Sequence, residues 1–282
     1  MEATIMADGS AHAPLHVPLT ADELTPRKKT PVKTRKFKVD FWATDFNTAE
    51  IGIMKRTQNE AASDQFTKDM EIYGQTVVNG KREALIAYRQ EMWKRNKDFK
   101  RRLVIKLFSE DLHWRGTIEM LIGRSLQLSL GSGGLAVPAY SINLARHDQL
   151  IQLERSAHHW PLFPEKYSFF LQTKSGPRFY KLRRNVICIG SDYTLYDQKG
   201  RKIGQLDSRI INLGGAWKVT LDSAHANARL EAVLQLFCAM LKFNGAARRH
   251  VRQLTEKVHG GRLVPELDHH EEALYTNPRR RR

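Results

Sequence analysis

Beyond Lys100 the chain is a succession of short apolar runs closed by turn residues, among them RRLVIKLF, GTIEMLIG, SLQLSLG, AYSINLAR, YSFFLQTKSG, SDYTLYDQKG, RKIGQLDSR and AWKVTLD. Several alternate at period two: Leu126, Leu128 and Leu130; Tyr140, Ile142 and Leu144; Leu150 and Leu153, with Ile151 interrupting. Successive strand side chains point to opposite faces, so this alternation, with turns every ten residues or about that, predicts an antiparallel sheet or barrel. Two turns carry matching chemistry. In DQKGR, Asp197 opens a tight turn and Gly200 stands where the backbone must be left-handed; TKSGPR, Thr173 to Arg178, works in the same way.

Earlier in the chain the texture differs. FKVDFWATDF alternates loosely and fits a strand or a docking segment. In residues Asn59 to Gly74, Phe66, Met70 and Tyr73 fall on one face of a short helix. After Asn79 and Gly80, the spacing of Leu85, Tyr88, Met92 and Phe99 among many charges predicts an amphipathic helix from Arg82 to about Lys97 with a basic face.

The segment LEAVLQLFCAMLKF, Leu230 to Phe243, has no continuous polar face, its only clearly polar side chains being Glu231, Gln235 and Lys242. A membrane-spanning helix needs about twenty mostly apolar residues, so this one is too short and reads as a core helix. Asp222, Ser223 and Asn227 are candidate caps, and Asn244 with Gly245 a candidate stop. A helix that is apolar nearly all round needs walls on every side, and a β barrel closed around it supplies them. The fold class expected is therefore mainly β with α, an antiparallel barrel around a central hydrophobic helix, with an N-terminal helical segment and disordered basic tails.

The domain reading follows. Residues 1–36 form a disordered tail, 37–119 a mixed segment that docks a partner or contributes barrel strands, 120–245 the barrel with its axial helix at 228–243, and 246–282 a basic C-terminal helix and tail.

Charge changes the picture most. Forty-six Lys and Arg against thirty Asp and Glu give a net +16, enough to attract phosphate-bearing partners. The segment RKKTPVKTRKFK concentrates this charge, and Arg27, Lys28, Lys29, Lys33, Arg35 and Lys36 are candidate polyanion contacts, against the plainer reading of a solvated tail. Cys188 and Cys238 sit in apolar runs and imply no disulfide framework. The first residues lack a basic start and a long apolar stretch, which predicts an intracellular, cytoplasmic protein, at most peripheral to membranes, with the nucleus open in a eukaryote.

The stretch YKLRRNVICIGSDYTLYDQKGRKIGQLDSRIINLGGAWKVTLD, followed by LEAVLQLFCAMLKF, resembles the closing part of a tubby C-terminal-like domain, especially its LURP-one and phospholipid scramblase branches. The elements that carry the resemblance are the strand at Tyr193 to Tyr196, the Asp197 to Gly200 turn, the strand at Lys202 to Leu206, the strand at Trp217 to Leu221, and the helix. The resemblance spans about residues 120–245 and implies a twelve-stranded barrel threaded by that helix, with binding of phosphoinositide or other membrane lipid rather than catalysis. It carries over no lipid-binding residue individually.

Arg183 and Arg184 in KLRRN, with Lys199, Arg201 and Lys202 on the following hairpin, are the candidate headgroup ligands; an ordinary solvated rim is the alternative. Asp192 and Asp197 flank SDYTLYDQKGRK without the ligand pattern of a calcium loop, and LGSGGLAV lacks the ending of a phosphate loop. The adjacent pairs His158/His159 and His269/His270 would point apart in a strand, and no pair of cysteines has zinc spacing. The DHHEE run, Asp268 to Glu272, is a minor candidate for scavenging a metal on an exposed tail. Trp114, Trp160, Phe163, Tyr167, Phe169 and Phe170 read as packing at a barrel end more than as a base-stacking platform. No catalytic motif appears, and no metal or cofactor is expected. The expected partner is an anionic membrane surface, with nucleic acid, or a protein docked on residues 37–119, as the alternatives.

Overall fold

The computed structural model describes residues 34–41, 64–157, 164–173, 176–186, 192–209 and 215–276. The expectations for residues 1–33, for Trp160 and Phe163, for His158 and His159 and for Cys188 lie outside them.

Twelve strands follow in order: β1 (Thr34–Phe41), β2 (Met70–Val78), β3 (Lys81–Arg89), β4 (Val104–Ser109), β5 (Trp114–Leu121), β6 (Ala139–Leu144), β7 (Ile151–Arg155), β8 (Lys166–Thr173), β9 (Gly176–Arg184), β10 (Tyr193–Asp197), β11 (Lys202–Arg209) and β12 (Ala216–Asp222). Each pairs antiparallel with the next, and β1 pairs with β12 from Thr34↔Asp222 to Asp40↔Ala216, so the sheet closes on itself with no free edge. At the β1–β2 seam the backbones run close: a Cβ on Gly74 would lie 2.8 Å from the Asp40 carbonyl oxygen, which only glycine allows. The α-helices among the described residues are α1 (Ile122–Gly131), α2 (Ala228–Leu241), α3 (Asn244–His259) and α4 (His269–Thr276).

Helix α2 lies inside the barrel. Val233, Leu234, Leu236, Phe237, Cys238 and Met240 are all fully buried. The Phe237 ring meets Tyr167 of β8 at 5.2 Å and Tyr193 of β10 at 5.3 Å. From the opposite wall, Tyr73 of β2 donates its hydroxyl to the Ala239 carbonyl at 3.2 Å. Burial of each large side chain here contributes about 1.5 to 3 kcal/mol. Of the three candidate caps, Asn227 is the one used: its extended backbone precedes the helix and its side chain accepts from the Leu230 N–H.

One open alternative is settled and four expectations are corrected. Of the two readings of residues 37–119, the strand-contributing one is found: β1 to β5 build almost half the barrel's circumference from residues 34–121, and Arg35 and Lys36 belong to a strand rather than to the tail. The helix expected from Arg82 to Lys97 is β3 followed by a single π-helical turn, Glu91–Arg95. Here Ala84 to Tyr88 are all buried because both faces of the strand are covered: Ile86 and Tyr88 point into the barrel core, while Leu85 and Ala87 join a cluster outside it with Phe66, Met70, Ile72, Phe108 and Leu112. The helix expected around Phe66, Met70 and Tyr73 is likewise absent: Phe66 lies on a turn and Met70 on β2, both in that outer cluster, whereas Tyr73 of β2 points into the barrel core.

The leucines at 126, 128 and 130 belong to α1, where Leu126 is buried and Leu130 exposed. Ser125 and Ser129 send their hydroxyls to the carbonyls of Leu121 and Ser125, within the helix. Finally, Asn244 and Gly245 do not end the helical path. The chain bends by 68° between α2 and α3 and continues. No single helix among the described residues is long and apolar enough to cross a membrane.

The C-terminal helices cover the end at which α2 leaves the barrel. Phe243 sits among Tyr73, Tyr88 and Trp93, with ring centroids 5.4, 5.0 and 6.1 Å away. Glu271 of α4 accepts from the backbone N–H groups of Gly123 and Arg124 at 2.9 and 2.8 Å, filling donors left open at the start of α1. Asp268 pairs with Arg102 and His270 with Glu119. The DHHEE run is thus largely committed to docking α4, and among the described residues no group of three His, Cys, Asp or Glu side chains is placed to hold a metal.

Candidate functional site

The mouth of the barrel, where α2 enters, carries the candidate site. The β10–β11 turn forms as its sequence demands. Gly200 has φ +75°, and Asp197 accepts from the backbone N–H groups of Lys199 and Arg201, both at 2.9 Å. Its other oxygen takes the Arg201 guanidinium at 2.8 and 2.7 Å. Burial pushes the Asp197 carboxyl up, but these bonds and the Arg201 charge outweigh it and hold the carboxyl below its ordinary value.

Between this turn and the loop after β12 lies a cleft of about 290 Å³, lined among others by Arg178, Phe179, Asp197, Lys199, Arg201 and His225. Three fixed cations face one carboxylate that Arg201 already neutralises. The His225 Nδ1 atom is buried there without a hydrogen-bond partner. The arrangement suits an anion with several acceptor oxygens, which Arg and Lys would bind with charge-assisted hydrogen bonds.

The outer face of the adjoining strands continues this character. Alternation places Lys166, Ser168, Phe170 and Gln172 of β8 outward, paired across the ladder with Arg183, Lys181, Phe179 and Pro177 of β9. No acid stands among these eight positions. Phe170 is 59% exposed, and its ring centroid lies 4.9 Å from that of Phe179, which also lines the cleft. Lys181 sits 5.9 Å from the Tyr196 ring on β10. Cation and aromatic face thus run together from the cleft along the barrel wall.

The residues expected from the sequence divide accordingly. Lys199 and Arg201 line the cleft. Lys202 is exposed at the start of β11 and donates to Gln205 instead. Arg183 is exposed on the same outer wall, opposite Thr194 and three residues beyond Tyr180, or roughly 10 Å along the strand. Arg184 points to the other face, opposite Tyr193. Adjacent strand residues cannot join one patch, so Arg183 and Arg184 do not act together. Arg35 turns toward the mouth, its Nε 3.4 Å from Glu231 of α2, while Lys36 lines a second small depression with Lys38 and Lys218. Arg27, Lys28, Lys29 and Lys33 lie outside the described residues.

Comparison with protein-family models, with curated proteins and with solved structures returns no match.

Sequence reasoning missed Arg178, His225 and the Phe170–Phe179 pair. A signal existed for Arg178, which follows the TKSGP turn directly. His225 lies in a loop whose residues were weighed only as helix caps. Phe170 was taken as barrel-end packing, because nothing in YSFFLQ tells which of two adjacent phenylalanines faces inward.

Proposed function

We propose that this chain is a tubby-like barrel that docks peripherally on an anionic membrane, holding a phosphorylated headgroup in the cleft of Arg178, Lys199, Arg201 and His225. The observation that carries the reading is the juxtaposition of that cationic cleft with the exposed Phe170. Phosphate oxygens take the cations, and the ring enters the interfacial layer, where aromatic side chains are favoured. Charge-assisted bonds to phosphate give orientation, and the net +16 supplies long-range attraction that salt screens. The tubby-like likeness rests on the twelve-stranded closed barrel, the helix inside it and the strand order quoted above.

Vesicle sedimentation tests the reading. Vesicles containing phosphatidylserine or a phosphoinositide are expected to carry the protein down at low salt and to release it as salt rises, whereas neutral phosphatidylcholine vesicles leave it in solution. No sedimentation with either anionic lipid at low salt overturns it, and sedimentation abolished by competing single-stranded DNA while vesicles alone bind weakly would favour a nucleic-acid partner.

A further inference from the structure

A second and larger cavity opens beside the cationic cleft at the same mouth, and its chemistry is different. It encloses about 810 Å³ between the start of α2 and the β3, β4, β5 and β6 ends, within the range of small-molecule pockets. Leu107 and Leu144 form apolar wall. The charges balance: Glu83, Asp111 and Glu231 oppose Arg115, Arg146 and Arg229.

Two polar groups in this cavity lack partners. Gln235 is 3% exposed, lines the cavity, and its amide makes no hydrogen bond among the described residues. Glu83 Oε2 is buried without a hydrogen-bond partner, its nearest cation being Arg35 at 3.8 Å; Arg115 approaches the other oxygen at the same distance. Glu83 Oε2 is held against its desolvation cost and the Gln235 amide faces the cavity, so a ligand that supplies both a donor and an acceptor would serve the two together.

We propose that this cavity binds a neutral polyhydroxylated ligand of the mono- or disaccharide class. A hydroxyl both donates and accepts, which matches a wall of carboxylates, guanidiniums and one free amide. An anion would meet Glu83 and Glu231, and a cation would meet the three arginines, so the balanced wall disfavours either. Trp114, whose Nε1 is fixed by a 2.9 Å bond to Thr117, adds an aromatic wall for the C–H face of a sugar ring. The inference is independent of membrane docking, because none of these residues lines the cationic cleft.

The test uses the full chain with glucose, galactose, maltose and lactose as probes, read by saturation-transfer NMR and titration calorimetry, with glutamate and lysine as charged comparators. At least one sugar is expected to bind saturably, with affinity reduced about tenfold or more in Gln235→Leu and in Glu83→Gln and unchanged in Lys199→Glu. Glu83 is partly exposed, so Glu83→Gln decides the matter if Gln235→Leu fails to fold. Absence of saturable binding by all four sugars overturns the proposal. So does binding that survives the folded variants undiminished, or saturable binding of glutamate or lysine alone.

Discussion

The two ends of the barrel are built on opposite terms. At the end where α2 leaves, one buried carboxylate is ringed by donors, although Tyr140 Oη, Arg101 Nε, Arg248 Nε and His250 Nε2 there have no hydrogen-bond partner. Glu165 receives hydrogen bonds from Tyr193 at 2.7 Å, from Tyr167 at 3.3 Å and from the Arg155 guanidinium, and Asn244 closes the set. Burial pushes the Glu165 carboxyl up, but the Tyr193 bond and the charges of Arg155 and Arg248 outweigh it and leave it below its ordinary value. At the mouth, by contrast, two cavities open between the hairpins, with Glu83 Oε2 and His225 Nδ1 unpartnered beside them. One end surrounds its buried acid with donors, and the other opens space lined by charged side chains.

The largest way to break this comparison is to strike what both ends share. Phe237→Asp would bury an unpaired charge at the centre of the barrel and is expected to abolish the cooperative thermal transition and most of the native circular dichroism. If the domain stayed folded, α2 would not be its core.

Next in size, Glu165→Ala strands Arg155 in a buried site and should cost about 3 to 5 kcal/mol in urea denaturation. Glu83→Gln, at a partly exposed site with ion pairs at 3.8 Å, should change stability by no more than about 1 kcal/mol. Equal costs at the two positions would erase the distinction between a structural and a binding end.

A smaller effect sharpens the picture by pH. His250 of α3 is buried beside Trp93, and burial, with the Arg101 charge, pushes its imidazole down to about 4. The unfolded chain, with an ordinary pKa of about 6.5, takes up this proton first. Its contribution is therefore complete above about pH 6.5 and is lost as pH falls toward about 4. Depressed Glu165 acts in the same direction at lower pH: its contribution is present above the ordinary carboxyl value and is lost as pH falls through its folded value. His250→Gln is expected to flatten the urea-measured stability between those pH values by about one proton of slope, and an unchanged slope would show that His250 is protonated in the fold.

How much of this was legible depended on how many faces each segment buries. From β7 onward most strands bury one face, as β8 does with Tyr167, Phe169 and Leu171, and period two reads through. In β2 and β3 the outer cluster around Phe66 and Phe108 buries the second face, so alternation vanished and helical spacing took its place. Segment α1 failed for the reverse reason: serines that bond back to their own helix left leucines at every second position, which imitates a strand. The apolar helix was legible because nothing but a closed wall explains it. Its polar exceptions were legible too, since Glu231 and Gln235 lie one turn apart and both line the mouth cavity. What the sequence withheld was the partner of Glu231, because Arg35 reaches it only through barrel closure.

The central claim is that the mouth is the binding end and that its cationic cleft takes an anionic membrane headgroup. The double variant Arg178→Glu/Lys199→Glu tests it directly, measured for sedimentation with phosphatidylserine vesicles at low salt and for its melting temperature in the same buffer. Both side chains are exposed, so the melting temperature should stay within a few degrees of the parent while vesicle binding falls by about tenfold or more. Binding that persists with the fold intact would place the membrane contact elsewhere and contradict the account.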